Sequence, residues 1–391
     1  MESSVLTLGE RDRRYGLVRR LMKDRQLDGL VFAPNTGDWD NFQPDLRYLT
    51  CVGGSGMAAA AVFPLEGAPV VAVREARRVA WWREAQEWVK DVRHPASFRW
   101  SSFIIEALSE KGLDQGRIGI VGLDGVLRDP EGTVSHGLVC NLMAKLPGAH
   151  FESATDLLYA ARKRKSTEEI VLMSRAQECA EAVSRALRAT ARPGVREHDV
   201  YAAMVAAHVR AGGELPTMML FFANRTMWQT QLMPANRSLE SDDIILIEAD
   251  TKFQGYTSQA VDTVSMRKFT PKERELLEIS TNCFHCLLEA MRPGRAYADL
   301  IADWQRLADQ SGAKAGRTMG HGLGLGQDVP LTVPNGDCHG LMVEEGDCFV
   351  LKPWVADEKD TVSVRVGCLV VVEAKGARRI GQGSIEPVVV A

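Results

Sequence analysis

A helix, a Pro-Gly stop and a second helix recur after 100 residues in this chain. "RATARPGVREHDVYAAMVAAHVRAGG", from Arg188, is matched by "LEAMRPGRAYADLIADWQRLADQSGA", from Leu288, with Pro193 and Pro293 at the same place. The stop has a physical cause: proline lacks the N–H a helix needs, and glycine accepts a left-handed backbone. Strand-rich sequence follows each copy: "DDIILIEADTKFQGYTSQAVDTVSM" after the first, "DCFVLKPWV" and "VRVGCLVVVEAKGARRIG" after the second. Two halves, each a helix pair plus strands, predict a pocket between two sheets.

The N-terminal part is patterned differently. "RDRRYGLVRRLMKDRQLDGLVFAP" reads as an amphipathic helix leading into a strand. "MAAAAVFPLEGAPVVAV" reads as strand, turn and strand, with Leu65, Glu66 and Gly67 in the turn. "EARRVAWWREAQEWVKDV" has helical spacing, anchored by Trp81, Trp82 and Trp88. Helix and strand alternate as in a compact α/β domain. The predicted domains are 1–158 and 159–391, and 391 residues suit two domains.

Charge and hydropathy narrow the function classes. The net charge of −4 comes from interspersed acids and bases, with no basic face for nucleic acid. No apolar run approaches the roughly 18 residues of a membrane span, and the N-terminus turns charged at once, unlike a signal peptide. Eight scattered cysteines read as reduced thiols, so a cytoplasmic protein is expected. The "CFHC" run, Cys283 to Cys286, lies in a helical pattern with no second CxxC, and reads as small helix residues rather than half a metal site.

Six segments, "KSTEEIVLMSRA", "RPGVREHDV", "IEADTKFQGY", "GHGLGLG", "EEGDCFVLKP" and "VEAKGARRIG", occur in an order that resembles the creatinase/aminopeptidase P/prolidase family. "DLRYLTCVGG" resembles that family's N-terminal segment. The resemblance implies an α/β (α+β) fold. A small α/β N-terminal creatinase-like domain precedes a pita-bread C-terminal domain with pseudo-two-fold αα-β halves. It also implies a homodimer, with the N-terminal domain of one subunit near the active site of the other. Trp39, in "NTGDWDNFQPDLRY", is a candidate for lining that mouth.

Peptidases of that family hold two divalent metals with two Asp, one His and two Glu. The resemblance places Glu248, Gln259, His321, Lys352 and Gly367 where those ligands fall, and Gln231 and Asp328 where two substrate histidines fall. Two divalent cations need several carboxylates, whereas an ammonium repels them. The sequence therefore predicts no metal ligands and no cofactor.

Glu248 emerges from the apolar run "IILIEAD", where a lone carboxylate is costly and needs a cation; Lys352, after "CFVL", is its predicted partner. His321 stands in a glycine run that reads as no ordinary core strand, and is expected to shuttle a proton. Candidate substrate contacts are Gln231, Asp250, Tyr256, Gln259, Asp328, Arg365 and Trp39, and Asp262 with Arg365 also reads as a strand-surface ion pair. The expected function is a metal-independent hydrolase of a C–N bond (amide, amidine or guanidinium type) in a small polar metabolite, with Glu248 as nucleophile or base. For Glu248 this follows a likeness to creatinases and ectoine hydrolases. The alternatives are a lyase using the same site, a non-catalytic pita-bread binding protein, and a metal-dependent Xaa-Pro peptidase.

Overall fold

The computed structural model describes residues 6–34, 43–54, 57–97, 99–216, 218–227, 232–333, 338 and 340–390. The chain divides into two compact units: Met1–Glu168 with Leu325–Gln327, and Glu169–Gly324 with Asp328–Ala391.

The first unit is built on a six-stranded sheet. Its order is Asp91–Arg93, Val70–Val73, Ala59–Pro64, Gly29–Phe32, Arg117–Val121 and His150–Ser153. Gly29–Phe32 runs antiparallel to Ala59–Pro64 and parallel to Arg117–Val121. The residues of its central strands are buried on both faces, which explains their unbroken apolar runs. The turn between Ala59–Pro64 and Val70–Val73 contains Gly67 at φ +87°, in the predicted place. The expected Trp helix is shorter than its pattern: it spans Arg77–Ala85 and ends before Trp88. Trp82 and Trp88 are buried, but Trp81 is exposed, so only one helical tryptophan is an anchor.

The second unit shows the repeat as geometry. Helices Thr167–Thr190 and Glu197–Arg210 form one pair, and Pro271–Ala290 and Tyr297–Gln310 the other. Gly194 has φ +87° and Gly294 has φ +88°. The Gly194 N–H donates to Leu239 O at 2.8 Å, and the Gly294 N–H to Val343 O at 2.9 Å. Matching bridges pair Arg196 with Ser238 and Ala296 with Met342. The first half carries a four-stranded sheet, Val388–Val389, Tyr256–Ser265, Ile244–Phe253 and Met219–Asn224. The second carries Gln327–Thr332, Gly320–Leu323, Cys348–Leu351, Cys368–Glu373 and Gly376–Arg379. This is the pita-bread arrangement.

The glycine run corrects an expectation, because Gly320–Leu323 is a buried strand inside the five-stranded sheet. Its glycines are required by neighbours on both sides. A Cβ on Gly320 would fall 2.0 Å from Val350 O, and one on Gly322 would fall 2.5 Å from Val329 O. Cys283 is buried in the helix Pro271–Ala290 among core residues, and the cysteines of the described residues are free thiols. Among the described residues no helix is long and apolar enough to cross a membrane.

Candidate functional site

The strand pair Ile244–Phe253 and Tyr256–Ser265 supplies the first half of the site. The two strands are antiparallel neighbours, joined through Gln254 at φ +47° and Gly255 at φ +86°. Side chains alternate between faces along a strand, so Glu248 and Asp250 share one face. Gln259 lies directly opposite Asp250 in the register. The second half contributes Lys352, just past Cys348–Leu351, and Arg365, just past Ser363–Val364. All five side chains are buried.

They form one connected cluster. Lys352 Nζ lies 3.1 Å from Glu248 Oε2 and donates to Gln259 Oε1 at 2.6 Å. Arg365 Nε lies 2.9 Å from Glu248 Oε1. The Gln259 amide nitrogen donates to Asp250 Oδ1 at 2.8 Å. Arg365 also sits over the Trp354 ring, 4.2 Å from its centroid, a cation–π contact with no signature in the sequence pattern.

Two carboxyls in one cluster are driven in opposite directions. Burial alone would raise Glu248, but the charges of Lys352 and then Arg365 outweigh it and bring its pKa down to about 2. Burial dominates for Asp250, which rises to about 6 despite the Gln259 hydrogen bond and the Lys352 charge. Burial also lowers Lys352 and Arg365, against the attraction of Glu248. Both oxygens of Glu248 are in contact with cations, so it is a fixed negative charge and a weak base. His321 is buried on Gly320–Leu323, its Nδ1 3.2 Å from Gly322 O.

Other candidates are placed elsewhere. The Tyr256 hydroxyl donates to Glu169 at 3.1 Å. Asp328 is buried on the strand Gln327–Thr332. Gln231 and Trp39 lie outside the described residues. The expected Asp262–Arg365 pair does not form. Asp262 instead receives two 2.8 Å hydrogen bonds from Arg188, and Arg365 turns to Glu248. Sequence spacing suggests a strand for both, but Arg365 lies just past Ser363–Val364, and spacing does not reveal that a helix arginine reaches Asp262.

The five places that the resemblance assigns to metal ligands can be tested on this geometry. The Lys352 ammonium occupies oxygens of Glu248 and Gln259 that a hard cation would need. A Cβ on Gly367 would lie 2.3 Å from Leu351 O and 2.6 Å from Lys352 Cβ, so no side chain fits there as the backbone stands. Among the described residues, no three His, Cys, Asp or Glu gather as a metal-binding group. The donor set does not fit a pair of divalent ions.

Residues 171–374 match the sequence pattern of metallopeptidase family M24. The chain is 24% identical over 256 residues to a Xaa-Pro dipeptidase of Pyrococcus furiosus, covering 64% of this chain and 72% of that one. It is 23% identical over 219 residues to a Xaa-Pro dipeptidase of Lactobacillus delbrueckii, covering 55% and 59%. The fold superposes on the solved structure of a Xaa-Pro dipeptidase from Bacillus anthracis with a TM-score of 0.81 at 16% identity, over 97% of this chain and 100% of that one. This kinship overturns the expected metal-independent C–N hydrolase of a small polar metabolite, because the matching chains are named dipeptidases and the matching family is one of metallopeptidases. The chain belongs to metallopeptidase family M24, in the creatinase/aminopeptidase P/prolidase group of pita-bread hydrolases.

Proposed function

We propose that the chain is a peptide-directed hydrolase that takes a small, dipeptide-class substrate at the pita-bread unit. Position carries this reading: Glu248, Gln259, His321, Lys352 and Arg365 all lie inside the family match, residues 171–374. The substrate class comes from relatives named Xaa-Pro dipeptidases. Glu248, held near pKa 2, works by its charge, fixing Lys352 and Arg365 rather than taking a proton. His321 is the proton-carrying group, and Asp250, at about 6, is a second one close to neutral pH. Asp328 and Tyr256, with Gln231 and Trp39, are proposed substrate contacts. A cytoplasmic homodimer belongs to the same proposal, and light scattering at micromolar concentration checks the dimer.

The test is a dipeptide panel that includes Xaa-Pro members, with and without added Mn²⁺, read by mass spectrometry. The expected result is release of free amino acids from at least one class, slowed about 100-fold or more by His321→Asn. No cleavage and no thermal stabilisation by any dipeptide would overturn it. One observation favours a second reading, ligand binding without turnover: both Glu248 oxygens are already committed to cations. A dipeptide that raises the melting temperature but emerges intact would select it.

A further inference from the structure

We infer that the Lys352 ammonium is the resident cation of this site, and that Lys352, Gln259 and Gly367 act as one unit that keeps a divalent-metal pair out. The inference does not depend on the substrate class. It starts from the chemistry of Gln259. That side chain accepts from Lys352 at 2.6 Å through its oxygen and donates to Asp250 at 2.8 Å through its nitrogen. Only an amide can accept from an ammonium and donate to a carboxylate at once in this way, through an oxygen and a nitrogen on one planar group. A carboxylate at 259 would instead face Asp250 directly across the strand pair, acid against acid.

Charge gives the second reason. Glu248 and Asp250 carry two negative charges when ionised, and Lys352 and Arg365 two positive ones, so the buried cluster is balanced without any added ion. Two divalent ions would bring four more positive charges to a set with no spare acid among these residues. Nor could a divalent ion simply displace the ammonium, which is covalently tethered and buried 3.1 Å from Glu248.

Sterics give the third reason and couple the exchanges. The Gly367 backbone runs so close to Lys352 that a Cβ there would lie 2.6 Å from the Lys352 Cβ and 2.7 Å from its Cα. A ligand side chain at 367 and the present course of the chain at 352 exclude each other. Restoring one carboxylate at a time therefore cannot rebuild a metal pair. A glutamate at 367 displaces the backbone of Lys352, and an aspartate at 259 breaks the bridge that holds its ammonium.

Equilibrium dialysis of the wild-type protein against about 100 µM Mn²⁺ or Zn²⁺, followed by elemental analysis, tests the inference directly. The expected content is below about one ion per ten chains, unchanged in His321→Asn. Close to two ions per chain, lost in His321→Asn, would overturn it. The double variant Lys352→Glu, Gln259→Asp removes the ammonium and adds two acids. It should bind one divalent ion at least about 100-fold more tightly than wild type. A double variant with native circular dichroism and no such gain also overturns the inference. The wild-type arm needs no variant, so the inference is decided even where the double variant does not fold. Failure to cleave dipeptides would leave both metal readouts unaffected, which separates this inference from the substrate proposal.

Discussion

The two halves of the pita-bread unit have nearly the same corners and opposite chemistry. At the corners, Gly194 and Gly294 share a left-handed φ, and each donates to a carbonyl of the segment that returns beside it. At the site, the first half brings the acids Glu248 and Asp250 with the bridging Gln259, while the second brings His321, Lys352 and Arg365. A corner is defined by backbone alone, so a repeat preserves it wherever Pro-Gly recurs. A buried charge is tolerable only with its opposite nearby, so matching halves must become unlike where they meet. The repeat explains the scaffold, and departure from it makes the site.

The largest effect follows from removing the charge that both second-half cations share. Glu248→Gln leaves Lys352 and Arg365 buried without their carboxylate, and should cost about 3–5 kcal/mol, the scale of breaking a buried ion pair from one side. Chemical denaturation measures it. A loss below about 1 kcal/mol would mean that solvent reaches the cluster and the halves are not joined by charge. Lys352→Met should cost less, about 2–3 kcal/mol, because Glu248 keeps Arg365. Combined with Glu248→Gln it should recover part of the loss, and strict additivity would break the claim of coupling.

Much of the scaffold was legible because its signals are local. Pro193-Gly194 and Pro293-Gly294 announce the corners, and the apolar run around Glu248 announces a buried strand. The pairing of Glu248 with Lys352 was legible too, since a carboxylate leaving an apolar strand must find a cation. The misses have physical causes. Glycines in "GHGLGLG" read as no ordinary core strand, but backbone crowding from Val350 and Val329 explains them as strand residues. Strand proximity suggests Asp262 as the partner of Arg365, but Arg188 arrives from a helix 74 positions away in sequence and takes that acid. The reaction class is misread when missing ligands at single positions are weighed above kinship across the whole domain.

The acids of the first half should also respond to pH with opposite signs. Glu248 is depressed from 4.5 to about 2, so its stabilising contribution is present above 4.5 and is lost as pH falls through about 2. Asp250 is raised from 3.8 to about 6, so its contribution is fully present below 3.8 and is lost as pH rises through about 6. Asp250→Asn keeps an oxygen for the Gln259 amide but cannot ionise. Relative to wild type, the variant should gain about 2–3 kcal/mol between pH 4 and pH 8, at about 1.4 kcal/mol for each tenfold change in the acid dissociation constant. A difference that does not change over that range would show that Lys352, not burial, controls Asp250.

The smallest effect tests the likeness of the corners rather than the difference of the sites. Gly194 and Gly294 have φ of +87° and +88°, and a Cβ built on either meets nothing within 4 Å. Alanine at each place therefore adds no clash, and its cost is only that of holding an L residue in the left-handed region, about 1 kcal/mol. Both N–H donors survive the substitution, so the bonds to Leu239 and Val343 remain. Gly194→Ala and Gly294→Ala should lower stability equally, within about 0.3 kcal/mol, and the double variant should show the sum. The two corners are separate turns whose N–H groups donate to different carbonyls, which is why additivity is expected here and not for Glu248 with Lys352. If one glycine costs several times the other, the repeat is a likeness of sequence and φ that conceals different local strain, and the equivalence of the halves fails at the backbone as well as at the site.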